Sequence, residues 1–165
     1  MTLMPPIIFD FSEDANLSGW YVVDDGVMGG LSAGQLSISP EGHGIFQGYV
    51  SLENNGGFSS IRYRMQPKRV DEYNQLIFKV KGDGKPYQIR VKSSWSQRYS
   101  YASEIQTNGE WQTISVELSE MTPTFRGRRL NMDNYPVERL AELAILVGNK
   151  KEEKFKLEID SIELK

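Results

Sequence analysis

The feature that most restricts the fold is a two-residue alternation of apolar and polar side chains, repeated in many short segments. Tyr87, Ile89 and Val91 point one way with Gln88, Arg90 and Lys92 opposite, and Ile114, Val116 and Leu118 repeat the pattern after Trp111. Phe46, Val50 and Leu52 share a face, as do Tyr99, Tyr101 and Ser103. A period of two sends successive side chains to opposite faces of a strand, so each segment reads as a half-buried antiparallel strand. Ile7, Phe9 and Phe11 predict a first strand with one buried face. Leu143 to Val147 is apolar on both faces and predicts a central strand covered on each side. Near the end, Phe155, Leu157 and Ile159 share a face before Ile162 and Leu164 take over, a slip of one residue that predicts a bulge. Only Pro136–Glu142 has helical spacing, and it predicts one brief helical turn.

Turn signals punctuate these segments at Asn16-Leu17-Ser18-Gly19, Pro40-Glu41-Gly42 and Asn55-Gly56-Gly57. Gly82-Asp83-Gly84-Lys85-Pro86 looks phosphate-like but lacks the P-loop spacing and its Ser/Thr, so a hairpin turn is expected there. Many short strands with regular turns, and no repeat or linker, indicate an all-β antiparallel sandwich with residues 1–165 as a single domain. Trp20, Phe46, Phe78, Ile89, Val116, Leu146, Leu157 and Ile159 are expected in its interior.

Composition removes several function classes. With 19 Lys+Arg against 22 Asp+Glu the net charge is −3, which does not favour nucleic acid or an anionic membrane as partner. There are no cysteines and one histidine, His43, so thiolate chemistry, paired-histidine zinc sites and most histidine relays are excluded. Asp10 and Asp160 could share a calcium, but neither lies in a dense ligand cluster. No metal, cofactor or catalytic residue is expected, and the chain reads as a non-enzyme. The start, Met1-Thr2-Leu3-Met4-Pro5-Pro6, has neither a basic n-region nor an apolar h-region, and no later run is long enough to span a bilayer. These features predict a cytoplasmic protein without membrane insertion.

Candidate binding residues cluster in polar loops. Asp24 and Asp25 open a glycine loop, Asp24–Ser32, with Met28 as an apolar plug. Glu53, Asn54 and Asn55 offer a carboxylate and two amides in a second loop. Arg126 and Arg128, with Arg129, form the densest basic cluster, suited to gripping carboxylates or phosphates. Arg62 lies on the strand face of Phe58, Ser60 and Arg64, with Glu53 or Asp25 as its expected partner. Each feature also has a structural reading: tight turns, self-bonded Asn side chains, or solvated charge. The two loops, Arg62 and the Phe125–Arg128 segment are expected to converge on one polar patch. Trp95, Tyr99 and Tyr101 form an alternative site, a sugar-stacking platform, though such aromatics more often belong to the core.

Several strings together resemble the complex I intermediate-associated protein 30 family. They are Asp25-Gly26-Val27-Met28-Gly29-Gly30 with Ser32, and Glu53-Asn54-Asn55-Gly56-Gly57-Phe58-Ser59-Ser60-Ile61-Arg62. Gly82-Asp83-Gly84 with Tyr87, Trp111, Pro123-Thr124-Phe125-Arg126-Gly127-Arg128 and Phe155–Ile162 follow in order. The resemblance implies a galactose-binding-like jelly roll and a chaperone-like role in assembling respiratory complex I. The expected partner is then a protein, such as a respiratory-complex subunit or assembly intermediate. The likeness of this fold to sugar-binding modules supplies the alternative, a carbohydrate or small-ligand-binding module.

Overall fold

Residues 6–25, 30–53 and 57–165 are described by the structure, a computed structural model. They form an antiparallel β-sandwich of jelly-roll type. One sheet has the order β3 (Ala33–Ile38), β4 (Gly44–Val50), β13 (Glu153–Leu164), β6 (Gln75–Lys81), β9 (Trp111–Glu117). The short β1 (Ile7–Asp10) continues the β4 edge of β13. The second sheet runs β11 (Arg128–Arg129), β10 (Thr122–Phe125), β8 (Ser100–Gln106), β7 (Pro86–Lys92), β12 (Arg139–Val147), β5 (Ser59–Arg69), β2 (Trp20–Asp24).

The core lies between the sheets, where the apolar halves of the alternating segments meet. Phe46, Phe78, Val80, Leu157 and Ile159 of the first sheet face Ile61, Ile89, Leu143, Ile145 and Val147 of the second. All eight residues expected in the interior are buried. Leu146 is buried differently, on the outer side of the second sheet beneath polar side chains rather than in the core. At one end Phe9, Phe11, Trp20 and Tyr63 form an aromatic cluster, with Trp20 stacked on Tyr63 at 5.0 Å between centroids.

The slip in the last segment is a bulge: the β13–β6 register shifts between Ile159 and Ser161. The carbonyl of Asp160 there accepts the Phe11 amide at 3.0 Å, tying the end of β1 to the spine of the sheet.

Three local expectations differ from the structure. Residues Arg139–Glu142 begin β12 instead of a helical turn. Val137 has φ 56°, a left-handed value that interrupts any helix, and seven residues of helical spacing are marginal beside strand pairing on two sides. Gly82–Lys85 does not make a hairpin, because β6 and β7 belong to different sheets. The segment crosses between them, held by Asp83, which accepts from the Tyr87 hydroxyl at 2.9 Å and the Lys156 amide at 2.8 Å. In β1 a register shift between Ile7 and Phe9 turns Ile8 inward and leaves Ile7 exposed.

Candidate functional site

The two distinctive loops meet through one side chain. Asp25 is 1% exposed and follows β2 directly. Its carboxylate accepts the Ser32 amide at 2.9 Å, the Ser32 hydroxyl, the Gly57 amide at 2.6 Å and the Phe58 amide at 3.2 Å. Ser32 in turn accepts the Ser51 amide at 2.9 Å. A Cβ at position 30 would collide with the Asp25 carboxylate, which is why glycine stands there. Burial works against the Asp25 charge, but the donors from Ser32, Gly57 and Phe58 prevail and hold its carboxyl below the usual range. Asp24 acts similarly on the neighbouring strands, accepting the Ser59 hydroxyl and the Gly34 amide. Asp25 therefore fastens the two loops and Asp24 the strands beside them, and neither has its carboxylate free for a ligand.

The outer face of the second sheet carries the polar halves of its strands, and there a cleft opens. Strand pairing aligns a row of side chains across it: Tyr21 beside Arg62, Arg62 beside Ala144, Ala144 beside Arg90, Arg90 beside Ala102. Alanines at the third and fifth positions of this row leave room above the sheet, and the two arginines flank Ala144. The next row sets Arg64, Glu142 and Lys92 side by side. The cavity measures about 130 Å³ and is lined by five cations, Arg62, Arg90, Lys92, Arg98 and Arg126, against one carboxylate, Glu142.

Glu142 is 4% exposed and already has its partners. It accepts the Tyr21 hydroxyl at 2.6 Å and lies 3.8 Å from the Arg64 guanidinium and 3.9 Å from the Lys92 ammonium. Among the described residues, Arg62 bonds only the Ser60 hydroxyl, at 3.4 Å, and Arg90 the Gln88 amide oxygen, at 2.8 Å. Among the described residues no carboxylate comes within 4 Å of Arg62, Arg90, Arg98 or Arg126. Burial pushes the Arg90 guanidinium down from its ordinary value, and the nearby Arg62 adds to the effect. Burial also lowers the Lys92 ammonium; Glu142 opposes this, while Arg62, Arg64 and Arg90 reinforce it.

The rim is set by a two-residue hairpin. Phe125 pairs with Arg128, and the intervening Arg126 and Gly127 have φ 52° and 77°. Two positive φ values in succession are the geometry of the turns that match the twist of hairpin strands. Glycine suits such a position; arginine does not, and Arg126 adopts it with its side chain at the cleft and its guanidinium 5.1 Å from the Phe125 ring.

The structure brings together some of the candidate residues and separates others. The Asp24–Ser32 and Glu53–Phe58 loops are neighbours through Asp25, and Arg62 and Arg126 line one cleft. Met28, Asn54 and Asn55 lie outside the described residues. Glu53 and Arg128 are exposed, and neither lines the cleft. Arg62 pairs with neither Glu53 nor Asp25. Tyr101 is turned into the core at 5% exposure, and Tyr99 packs edge-on against it at 5.6 Å, so the pair does not present an outward platform. Trp95 is exposed but pinned. Its indole N–H donates to the carbonyls of Met65 at 3.0 Å and Ala141 at 3.2 Å, at the β12–β5 bulge. The Arg64 guanidinium sits 5.6 Å from the Trp95 ring and 5.9 Å from the Tyr21 ring. Arg90, Lys92, Arg98 and Glu142 line the cleft without any local sequence signal for it. The alternation of β7 did mark Arg90 and Lys92 as outward-facing, but nothing local distinguishes a cleft from open solvent.

A model of the complex I intermediate-associated protein 30 family matches residues 9–159. The chain belongs to this family. It is 27% identical to complex I intermediate-associated protein 30, mitochondrial, of Drosophila melanogaster, across 96% of this chain and 62% of that protein. The Mus musculus protein of the same name is 23% identical, across 94% and 55%. The chain thus spans between about half and three-fifths of the length of these relatives. Both are named mitochondrial, which points to mitochondria and corrects the cytoplasmic expectation drawn from the first residues. Among solved structures, this family member superposes on the family 11 carbohydrate-binding module of Clostridium thermocellum Lic26A-Cel5E. The TM-score is 0.69 at 12% identity, covering 99% of this chain and 95% of that one. The same module with a β-1,3-1,4-mixed-linked tetrasaccharide matches equally, at 14% identity. At such identity the likeness is one of fold.

Proposed function

We propose that this chain is a non-catalytic interaction domain that binds a protein partner during assembly of a multisubunit complex, a respiratory-complex subunit or assembly intermediate being the expected partner. The family match across residues 9–159 carries this reading. The tie between the loop ends supports it, because Asp25 joins Ser32, Gly57 and Phe58 at one end of the sandwich, and binding residues tend to sit on loops that a rigid scaffold positions. The residues assigned to contact are the exposed Glu53, Arg126 and Arg128, with Met28, Asn54 and Asn55 assigned from the sequence. Asp24, Asp25 and Arg62 belong to the same patch as its support. The carbohydrate alternative has the fold likeness in its favour, but Tyr101 is buried, Trp95 is hydrogen-bonded to the backbone, and the open cleft is lined by arginines.

The test is affinity capture with crosslinking in the native host, comparing wild type with the Arg126→Ala/Arg128→Ala pair, beside a glycan array. Recovery of a respiratory-complex subunit that the double variant loses is the expected result. Saturable glycan binding without a protein partner would overturn it in favour of the module. Turnover of a substrate by the purified chain would remove the non-catalytic assignment.

A further inference from the structure

The outer face of the second sheet holds an arrangement that a surface for protein contact does not require. Four guanidiniums, from Arg62, Arg90, Arg98 and Arg126, converge on a cavity of about 130 Å³ without a carboxylate within 4 Å of any of them among the described residues. The whole chain carries a net charge of −3, so this concentration of positive charge runs against its overall balance. Two of the four are half-buried and rise from strands separated only by β12, whose residue between them is Ala144. Their backbones are therefore about 10 Å apart, two strand spacings. Like charges held this close, in a cleft whose single acid is already shared between Arg64 and Lys92, weaken the free protein unless an anion joins them. Burial lowers the ionisation of both Arg90 and Lys92, and the neighbouring guanidiniums add to it.

We infer that this cleft is an anion site for a phosphate-class group, bound between Arg62 and Arg90 and closed from the rim by Arg98 and Arg126. The number and direction of the donors select the ligand. A carboxylate is planar, carries one charge and is satisfied by a single guanidinium fork. Here forks come from two strands of the floor and from two loops of the rim, which suits a tetrahedral oxyanion with oxygens facing several ways and up to two charges. The cavity is compact and holds such a group, not a length of peptide. Arg126 adds an independent observation. It occupies a left-handed backbone position that asparagine or glycine would fill with less strain, and its side chain lines the cavity.

The site goes beyond the partner reading and shares Arg62 and Arg126 with the patch assigned to it, but the two fail separately, since a chain that captured no protein could still bind phosphate. The test is calorimetric titration of the full chain, at matched ionic strength, with inorganic phosphate, glycerol 3-phosphate and succinate. The Arg62→Gln, Arg90→Gln and Arg126→Asn variants are titrated in parallel, with Arg69→Gln as control because Arg69 pairs with Asp71 away from the cleft. Circular dichroism establishes that each variant is folded, and Arg126→Asn, on an exposed hairpin, tests the site even where a floor variant is not. Saturable binding of one of the phosphates is expected, weakened at least about tenfold by each cleft variant and unchanged by Arg69→Gln. Tighter binding of glycerol 3-phosphate than of inorganic phosphate would identify the source as the phosphoryl group of a larger molecule; the reverse order would identify free phosphate. Absence of binding by both phosphates at about 10 mM, equal affinity in the cleft variants, or tighter binding of succinate would overturn the inference.

Discussion

Asp25 shows how one carboxylate can organise two loops. Its two oxygens take the Ser32 amide and hydroxyl from one side and the Gly57 and Phe58 amides from the other. Asparagine at this position has one accepting oxygen and a donor NH2 that would oppose a backbone N–H. Asp25→Asn is expected to cost about 2–3 kcal/mol in urea unfolding, with faster hydrogen exchange at the Gly57 and Phe58 amides. The pH dependence has a definite sign. The folded-state pKa lies below the unfolded value, so the stabilisation is complete above about pH 4 and is lost as pH falls through the folded value. The stability gap between wild type and Asp25→Asn should therefore hold from neutral pH to about pH 5 and close on further acidification. A gap that stayed constant to pH 2 would mean that packing, not charge, carries the effect.

Among the elements, the β10–β11 hairpin and the β12–β5 bulge each place a side chain against local preference. Arg126→Asn removes the left-handed cost of a long side chain and should raise stability by about 0.5–1 kcal/mol while weakening phosphate binding. A loss of both would show that the Arg126–Phe125 contact outweighs the backbone term. At the bulge, Trp95 satisfies two carbonyls that strand pairing leaves open. Trp95→Phe keeps much of the ring surface but removes the N–H, and should cost about 1–2 kcal/mol by thermal or urea unfolding. The exposed tryptophan is thus a structural cap, which explains its surface position without a stacking ligand. The β13 bulge, by contrast, was visible in the sequence. A slip of apolar period needs only residues within one strand, whereas the cap on the β12–β5 bulge comes from residue 95, far along the chain from both carbonyls it meets.

For the molecule as a whole, stability rests on the facing apolar halves of two sheets. Phe78 is fully buried on β6 of the first, and Phe78→Ala should cost about 3–5 kcal/mol with the β-type circular dichroism spectrum retained at low temperature. The outer face of the second sheet is the reverse case, where charge is gathered at some cost to stability. That contrast separates the scaffold from the surface proposed to act.

The antiparallel sandwich, the eight residues expected in its interior and the β13 bulge were determined by the sequence itself, because alternation depends on neighbours two residues apart; the inward turn of Ile8 was not. The helical turn expected at Pro136–Glu142 failed because spacing over seven residues cannot report pairing with β5 and β7. The meeting of the two loops was legible as an expectation, although the identity of Asp25 as the tie was not. Only the tertiary structure decided that Arg62 and Arg90 flank Ala144. That row exists because strands distant in sequence lie in the order β7, β12, β5, and strand order is set by long-range packing that no local pattern encodes.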